Sequence, residues 1–535
     1  MRPNLLPLLV LLSACASSRS SSSGEAVSSP PAPASTAPAP VLASGLFGTE
    51  HPFVLQAVSP EGRWLIACQA REDTTGDGKI SVAVGHHGNI HGDKLEQYLF
   101  LEPGPGERID DFISADRKGR FIVVVRGSSL RLIDTQAGTE RELAPLQPND
   151  RERDDALLPP PIARFSRDGR LLLFLRKEAG KVVAIVRELA SGREQVVDAG
   201  TGELRRAWLE PSGAWALFQV LVEDTDKDGT LRWPVERTSL APARCRGPVM
   251  SFSRSGWKGD IPVARIRRVE EGPLYEGKDV LGPVGPSMLR RGAQGELLVE
   301  DASGRQTEWV PAACKGRVLH ADAERQLLVV ACTAAGNDAP APVELHGASI
   351  HQPLGLSVES PFKDNLFEEP SRFVQLNRAT PIASSLAAKD LDPQLEEETF
   401  IVDLEQRTRR PVLEELESMR GTWALLSETL EKGEAWDRRK TRVSLLNLAT
   451  GAQTVLAESQ IRSDLTAGPL VLSSGVLVDL DAGRMLGQIS EPAGSMLALD
   501  SQGRVLRSSA AASEKRTPIE GIPWGPVRWE PLLTR

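Results

Sequence analysis

The chain has 535 residues, of which 25% are charged and 40% hydrophobic, the balance of a folded protein and not of a disordered one. Its formal net charge is −9, which argues against nucleic acid or an anionic membrane surface as the main partner. That length holds either two to four ordinary domains or one large repeat array.

The N-terminus carries Arg2 and then Leu5, Leu6, Leu8, Leu9, Val10, Leu11 and Leu12, an apolar run too short to span a bilayer. It ends in Leu12-Ser13-Ala14-Cys15. This resembles the lipobox of bacterial lipoproteins. The resemblance implies a signal peptide over 1–14, cleavage before Cys15 and lipid on the Cys15 thiol. The membrane is then a partner through that lipid, since each buried methylene contributes about 0.8 kcal/mol. Ala16 is not the Asp that marks inner-membrane retention in enteric lipoproteins, so the expected location is the cell envelope, with the outer membrane favoured. Residues 15–44 are rich in Ser, Ala and Pro, including Pro30-Pro31-Ala32-Pro33, and read as a tether.

From residue 45 onward, short apolar runs alternate with Gly, Asp and Ser turns. Ser59-Pro60-Glu61-Gly62-Arg63-Trp64, Asp116-Arg117-Lys118-Gly119-Arg120, Ser166-Arg167-Asp168-Gly169-Arg170 and Glu210-Pro211-Ser212-Gly213 each precede an apolar strand. A second half-motif follows some of them, as in Asp134-Thr135-Gln136-Ala137-Gly138, Ala190-Ser191-Gly192 and Asn447-Leu448-Ala449-Thr450-Gly451. Units recur about every 45 to 55 residues, the period of propeller blades. The pattern resembles TolB-type and related WD-like β-propellers. The expectation is an all-β propeller of seven or eight four-stranded blades over 45–535, with insertions near 245–285 and 360–400. Trp524-Gly525-Pro526-Val527-Arg528-Trp529 is expected to supply a strand that closes the ring with the first blade. A tandem of two smaller domains is the competing arrangement.

Asp224-Thr225-Asp226-Lys227-Asp228-Gly229 places carboxylates at alternating positions and glycine sixth. It looks like the start of an EF-hand-type loop, with Asp224, Asp226 and Asp228 as calcium ligands. Asp73-Thr74-Thr75-Gly76-Asp77-Gly78 is a looser copy, with Asp73 and Asp77. The twelfth positions hold Val235 and Val84, where EF-hands use Glu, so plain polar turns are the rival reading and any calcium would be structural. His87, His91 and Asp93 form a candidate zinc set, set against a solvated loop.

Cys314 and Cys332 flank an apparent hairpin and are expected to pair. Cys68 and Cys245 fall in the first and fourth blades, across the ring from each other, which makes their pairing doubtful. No G-x-S-x-G nucleophile elbow is present, and no catalytic residue is assigned. The functional expectation is a non-catalytic binding or scaffold module that takes an envelope protein or glycan. The alternative is an envelope hydrolase or lyase with its site in the channel.

Overall fold

The computed structural model describes residues 46–47, 53–78, 80, 82–84, 90–102, 106–146, 163–210, 212–225, 227, 229, 231, 245, 263–277, 279–322, 324–332, 341–358, 371–381, 395–431, 440–459, 464–489, 496–508 and 527–532. Among them the only helical element is one 3₁₀ turn, Ala312–Cys314. The rest is antiparallel strand and turn.

The strands form ten successive blade sheets, and one further two-stranded hairpin, Val82–Val84 with Ile90–Gly92. The blades span 53–109, 111–145, 163–197, 203–276, 280–310, 317–358, 373–412, 415–459, 464–488 and 496–531. Nine of the ten have four strands, and the seventh has three described. The tenth takes its fourth strand from the chain start, Leu46–Phe47, which pairs with Val527–Pro531 through Leu46↔Arg528 and Phe47↔Val527. The tail around Trp529 therefore lies in the last blade, and the N-terminal strand comes to it.

Each seam between consecutive blades has its own apolar core. Trp64, Ile66 and Leu99 of blade 1 pack with Ile122, Val124 and Ile133 of blade 2. The same holds for every following pair. The tenth seam returns to the start, where Ala498, Leu506 and Trp529 meet Leu65, Ala67 and Phe100. Sequential seams that close last on first make one ring, not two domains in tandem.

The expectation of seven or eight blades is thus corrected to ten. The shortfall lies in the stretches assigned to insertions. Residues 245–285 hold the outer strands of blade 4, Val263–Arg268 and Leu274–Glu276, and the first strand of blade 5. Residues 360–400 hold Phe373–Pro381 and the start of Leu395–Asp403, both of blade 7. Sheets packed about 10 Å apart give ten blades a mean circumference of about 100 Å, against about 75 Å for seven or eight.

The turn from first to second strand explains why the repeated motif folds alike. In blades 1, 2 and 3 a side-chain oxygen accepts the amide five residues on: Ser59 Oγ from Trp64 at 3.2 Å, Asp116 Oδ1 from Phe121 at 2.5 Å, Ser166 Oγ from Leu171 at 2.9 Å. The glycine three residues on donates its amide back to the first residue's carbonyl, at 2.9, 2.9 and 3.0 Å. That geometry needs positive φ, which is 70° at Gly62, 69° at Gly119 and 70° at Gly169.

The same glycines touch the preceding blade. A Cβ on Gly119 would stand 2.8 Å from Ser59 Cβ, and one on Gly62 would stand 2.8 Å from the Trp529 ring. Trp64 Nε1 donates to the Gly119 carbonyl at 2.7 Å across the same seam. The second half-motif caps the turn from third to fourth strand. Asp134 Oδ1, Asp403 Oδ1, Asn447 Oδ1 and Asp479 Oδ1 each accept amides two and three residues on.

Two predictions follow from these turns. Gly119→Ala combines left-handed strain with a seam clash and should cost about 3 kcal/mol. Gly127→Ala, at φ 56° with open space around it, should cost about 1 kcal/mol. Urea midpoints check this, and equal losses would contradict the interlock. The second concerns Asp168. Slight burial pushes its carboxyl up, but the Arg170 amide, the Ser166 hydroxyl and the Arg170 guanidinium outweigh that and hold it at about 2, below the ordinary 3.8. A depressed carboxyl stabilises above the unfolded value and loses that contribution as pH falls through the folded value. Asp168→Asn should therefore lower stability near pH 6, with the gap to the parent closing between about pH 4 and pH 2.

Candidate functional site

The two ends of the ring differ. At one end lie the short capped turns just described. At the other lie the connections from second to third strand. Those of blades 2 and 3 are two-residue links, Gly127-Ser128 and Ala179-Gly180. Those of blades 1 and 4 are long, running from Gln69 to Glu96 and from Leu221 to Val263, and each opens with an Asp-rich loop.

The two Asp-rich loops share one local hydrogen bond. Gly78 N donates to Asp73 Oδ2 at 2.7 Å, and Gly229 N donates to Asp224 Oδ2 at 2.6 Å. Both glycines have positive φ, 79° and 84°. Asp73 Oδ1 also takes the Gly76 amide at 2.6 Å. Slight burial pushes the Asp73 carboxyl up, and these amide donors overcome it and leave it below the usual carboxylate range. Asp77 is exposed beside it, while Asp226 and Asp228 lie outside the described residues.

Of the candidate zinc set, the described residues show the surroundings of Asp93. Asp93 is 4% exposed, and its Oδ1 accepts the amides of Thr74 and Thr75 at 2.6 and 2.9 Å. It anchors the Asp73 loop from behind. His91 lies in the Ile90–Gly92 strand, and His87 lies outside the described residues. Cys15 also lies outside them.

The long connection of blade 4 is joined covalently to blade 1. Cys68, buried in the second strand of blade 1, is bonded to Cys245 in the long connection of blade 4. This corrects the doubt about that pair. Blades 1 and 4 stand about 26 Å apart across a ring of this circumference, and the roughly 24 residues from Leu221 to Cys245 can extend about 80 Å. The insertion therefore has ample length to cross.

The expected pair Cys314–Cys332 is also bonded, with Cα atoms 4.6 Å apart. It lies at the seam of blades 5 and 6, beside a cluster that the sequence reading missed. Glu344 and His346 are two apart on Ala341–Gly347, so they share one face of the strand. His351, on Ile350–Val358, is the cross-strand partner of His346. Both imidazole Nε2 atoms are 2.9 Å from Glu344 Oε2, and the rings stack with centroids 4.8 Å apart. His346 Nδ1 donates to the Trp309 carbonyl at 3.2 Å. Burial pushes the His346 imidazole below its ordinary 6.5, against the pull of Glu344. One donor atom from each of Cys314, Cys332, Glu344 and His346 lies within 4.8 Å of the others. The readable signal is Glu-x-His, a tight turn and His at the hairpin's opposite position.

No family model matches the chain, and no curated protein matches it in sequence. Solved structures similar to it include a eukaryotic initiation factor, 11% identical over 76% of this chain and 88% of that one, with a TM-score of 0.37. TolB from Acinetobacter baumannii is 13% identical over 66% of this chain and 64% of that one, with a TM-score of 0.22. Oligogalacturonate lyase from Vibrio parahaemolyticus is 9% identical over 90% and 91%, with a TM-score of 0.26. The chain is a β-propeller, and TolB-type propellers are among its structural neighbours. At these scores the likenesses carry no argument about activity. The ring itself rests on the ten sheets and their seams.

The two disulfides should contribute unequally. Chain-entropy arithmetic gives about 5 kcal/mol for the 177-residue separation of Cys68 and Cys245, and about 3 kcal/mol for the 18-residue separation of Cys314 and Cys332. Cys68→Ser/Cys245→Ser should therefore lower the denaturation midpoint more than Cys314→Ser/Cys332→Ser. The reverse order would argue against a covalent tie between blades 1 and 4.

Proposed function

We propose that this chain is a lipid-anchored binding module of the bacterial cell envelope, a rigid propeller that presents its long-connection end to an envelope protein or glycan. The carrying observation is the bond between Cys68 and Cys245, which ties the long connection of blade 4 to the second strand of blade 1, just before blade 1's own long connection begins. Loops held on a rigid scaffold are where propellers and other β folds place their binding residues. The Cys15 lipobox resemblance supports the anchor, and no helix among the described residues is long and apolar enough to cross a membrane. Outer-membrane delivery rests on Ala16 alone.

Two measurements test this reading. Cys15→Ala should move the protein from the membrane fraction to the soluble one, and retention in the membrane would sink the anchor. A photo-crosslinker at exposed Lys227, at the long-connection end, should give adducts with envelope protein or glycan in intact cells. The same probe at exposed Ser212, in a capped turn at the other end, should give few. Equal labelling would remove the assignment of the binding end.

Calcium belongs to this reading as a structural ion of the Asp224 loop, and of the Asp73 loop after it. What supports it is the shared bond from sixth-position glycine to first-position aspartate. Occupancy at about a hundred times the dissociation constant would add about 2.7 kcal/mol. The melting temperature should fall in chelator and return with calcium. An unchanged melt would leave both loops as plain turns.

A further inference from the structure

The hairpin of blade 6 carries two imidazoles and one carboxylate whose donor atoms converge, and no role assigned so far uses them. Two ligands each about 2.1 Å from one tetrahedral ion stand about 3.4 Å apart. The two Nε2–Oε2 separations here are both 2.9 Å, so a small opening of the cluster, with the exposed His351 ring turning out of its stack on His346, brings the three donors to that spacing. We propose that His346 Nε2, His351 Nε2 and Glu344 form a site for a divalent transition metal of the zinc class, bound with the Cys314–Cys332 disulfide intact.

The ring nitrogens of His346 state the problem that the ion solves. Nδ1 faces the Trp309 carbonyl and Nε2 faces a carboxylate oxygen, and both of these are acceptors. Without a metal, that arrangement needs either a charged ring or a proton held on Glu344. The His346 side chain is only 1% exposed, so burial opposes that charge. A metal on Nε2 removes the conflict: Nδ1 keeps its proton for Trp309, and Nε2 gives its lone pair to the ion. A backbone carbonyl behind a ligating histidine is the usual device that fixes ring orientation.

The local fold explains why these three meet. The strand period places Glu344 and His346 on one face, and cross-strand register places His351 opposite His346. The other face, with Val343 and Leu345, is committed to the core shared with blade 7. Imidazole donors select zinc, copper or nickel over calcium and magnesium. The His351 side chain is 58% exposed, which gives the ion a route in and leaves room for water or an added ligand. Three protein ligands with an open position is the pattern of sites that bind or activate a further molecule.

The test is a cobalt(II) titration of the full chain carrying Cys15→Ala, followed by competition with zinc. That chain has no cysteine outside the two disulfides. The parent should show saturable visible absorption without a thiolate charge-transfer band, displaced by zinc. His351→Ala, on the exposed side, should keep the metal-free melting temperature and weaken zinc by at least about tenfold. His87→Ala/His91→Ala should bind like the parent. Three results overturn the proposal: no saturable binding by the parent, unchanged affinity in His351→Ala, or lost affinity in His87→Ala/His91→Ala. A thiolate band would also overturn it, by placing Cys314 and Cys332 in the coordination shell.

Discussion

Four seams of the ring are set by the contact between a turn glycine and the blade before it. Gly62, Gly119, Gly169 and Gly213 all have positive φ and all sit against a residue of the preceding blade: Trp529, Ser59, Asp116 and Ser166. A side chain there would be strained by its own backbone and pushed into a neighbour. One residue type thus meets two demands, one local and one at the seam. Indole donors reinforce it, Trp64 to the Gly119 carbonyl and Trp215 to the Gly285 carbonyl. At the closing seam the Arg504 guanidinium donates to the Glu61 carbonyl. The apolar cores lie behind these contacts and supply most of the burial, but the turns set the spacing at which the sheets stack.

This explains what could be read from the sequence. Turn chemistry is local, so Asp116-Arg117-Lys118-Gly119 and Ser166-Arg167-Asp168-Gly169 announced their blades directly. Blade 9 was harder, because its strands are four or five residues long and it turns through Gly468 and Ser474-Gly475 without the full motif. Blade 7 begins, among the described residues, at its second strand, so the turn that would mark it is missing from view. Its Asp403 cap and the Arg372–Asp403 pair match Asp134 and Arg120 of blade 2, which identifies the strands by position. Blade 4 was split by its own insertion, and a periodic count fails across such a gap. The undercount therefore came from blades whose identity lies in packing and not in turn residues.

The candidate sites show the same division. The EF-hand-like loops were visible because their spacing is contiguous. The Cys68–Cys245 bond was not, since it depends on an insertion crossing between blades 1 and 4. Glu344, His346 and His351 come together only through hairpin register, which a search for dense histidine runs passes over. The His86-His87 to His91 run drew notice for its density, yet its nearby carboxylate, Asp93, is committed to the Thr74 and Thr75 amides. Among the described residues, register brought these donor atoms together.

The central claim is a single closed ring of ten blades, with the chain start completing the last one. A cryo-electron microscopy map of the full chain, viewed down the ring axis, tests it directly. The account predicts ten sheets around one axis, with density for Leu46–Phe47 on the outer edge of the blade that contains Trp529. Seven or eight sheets, or two smaller rings side by side, would contradict it.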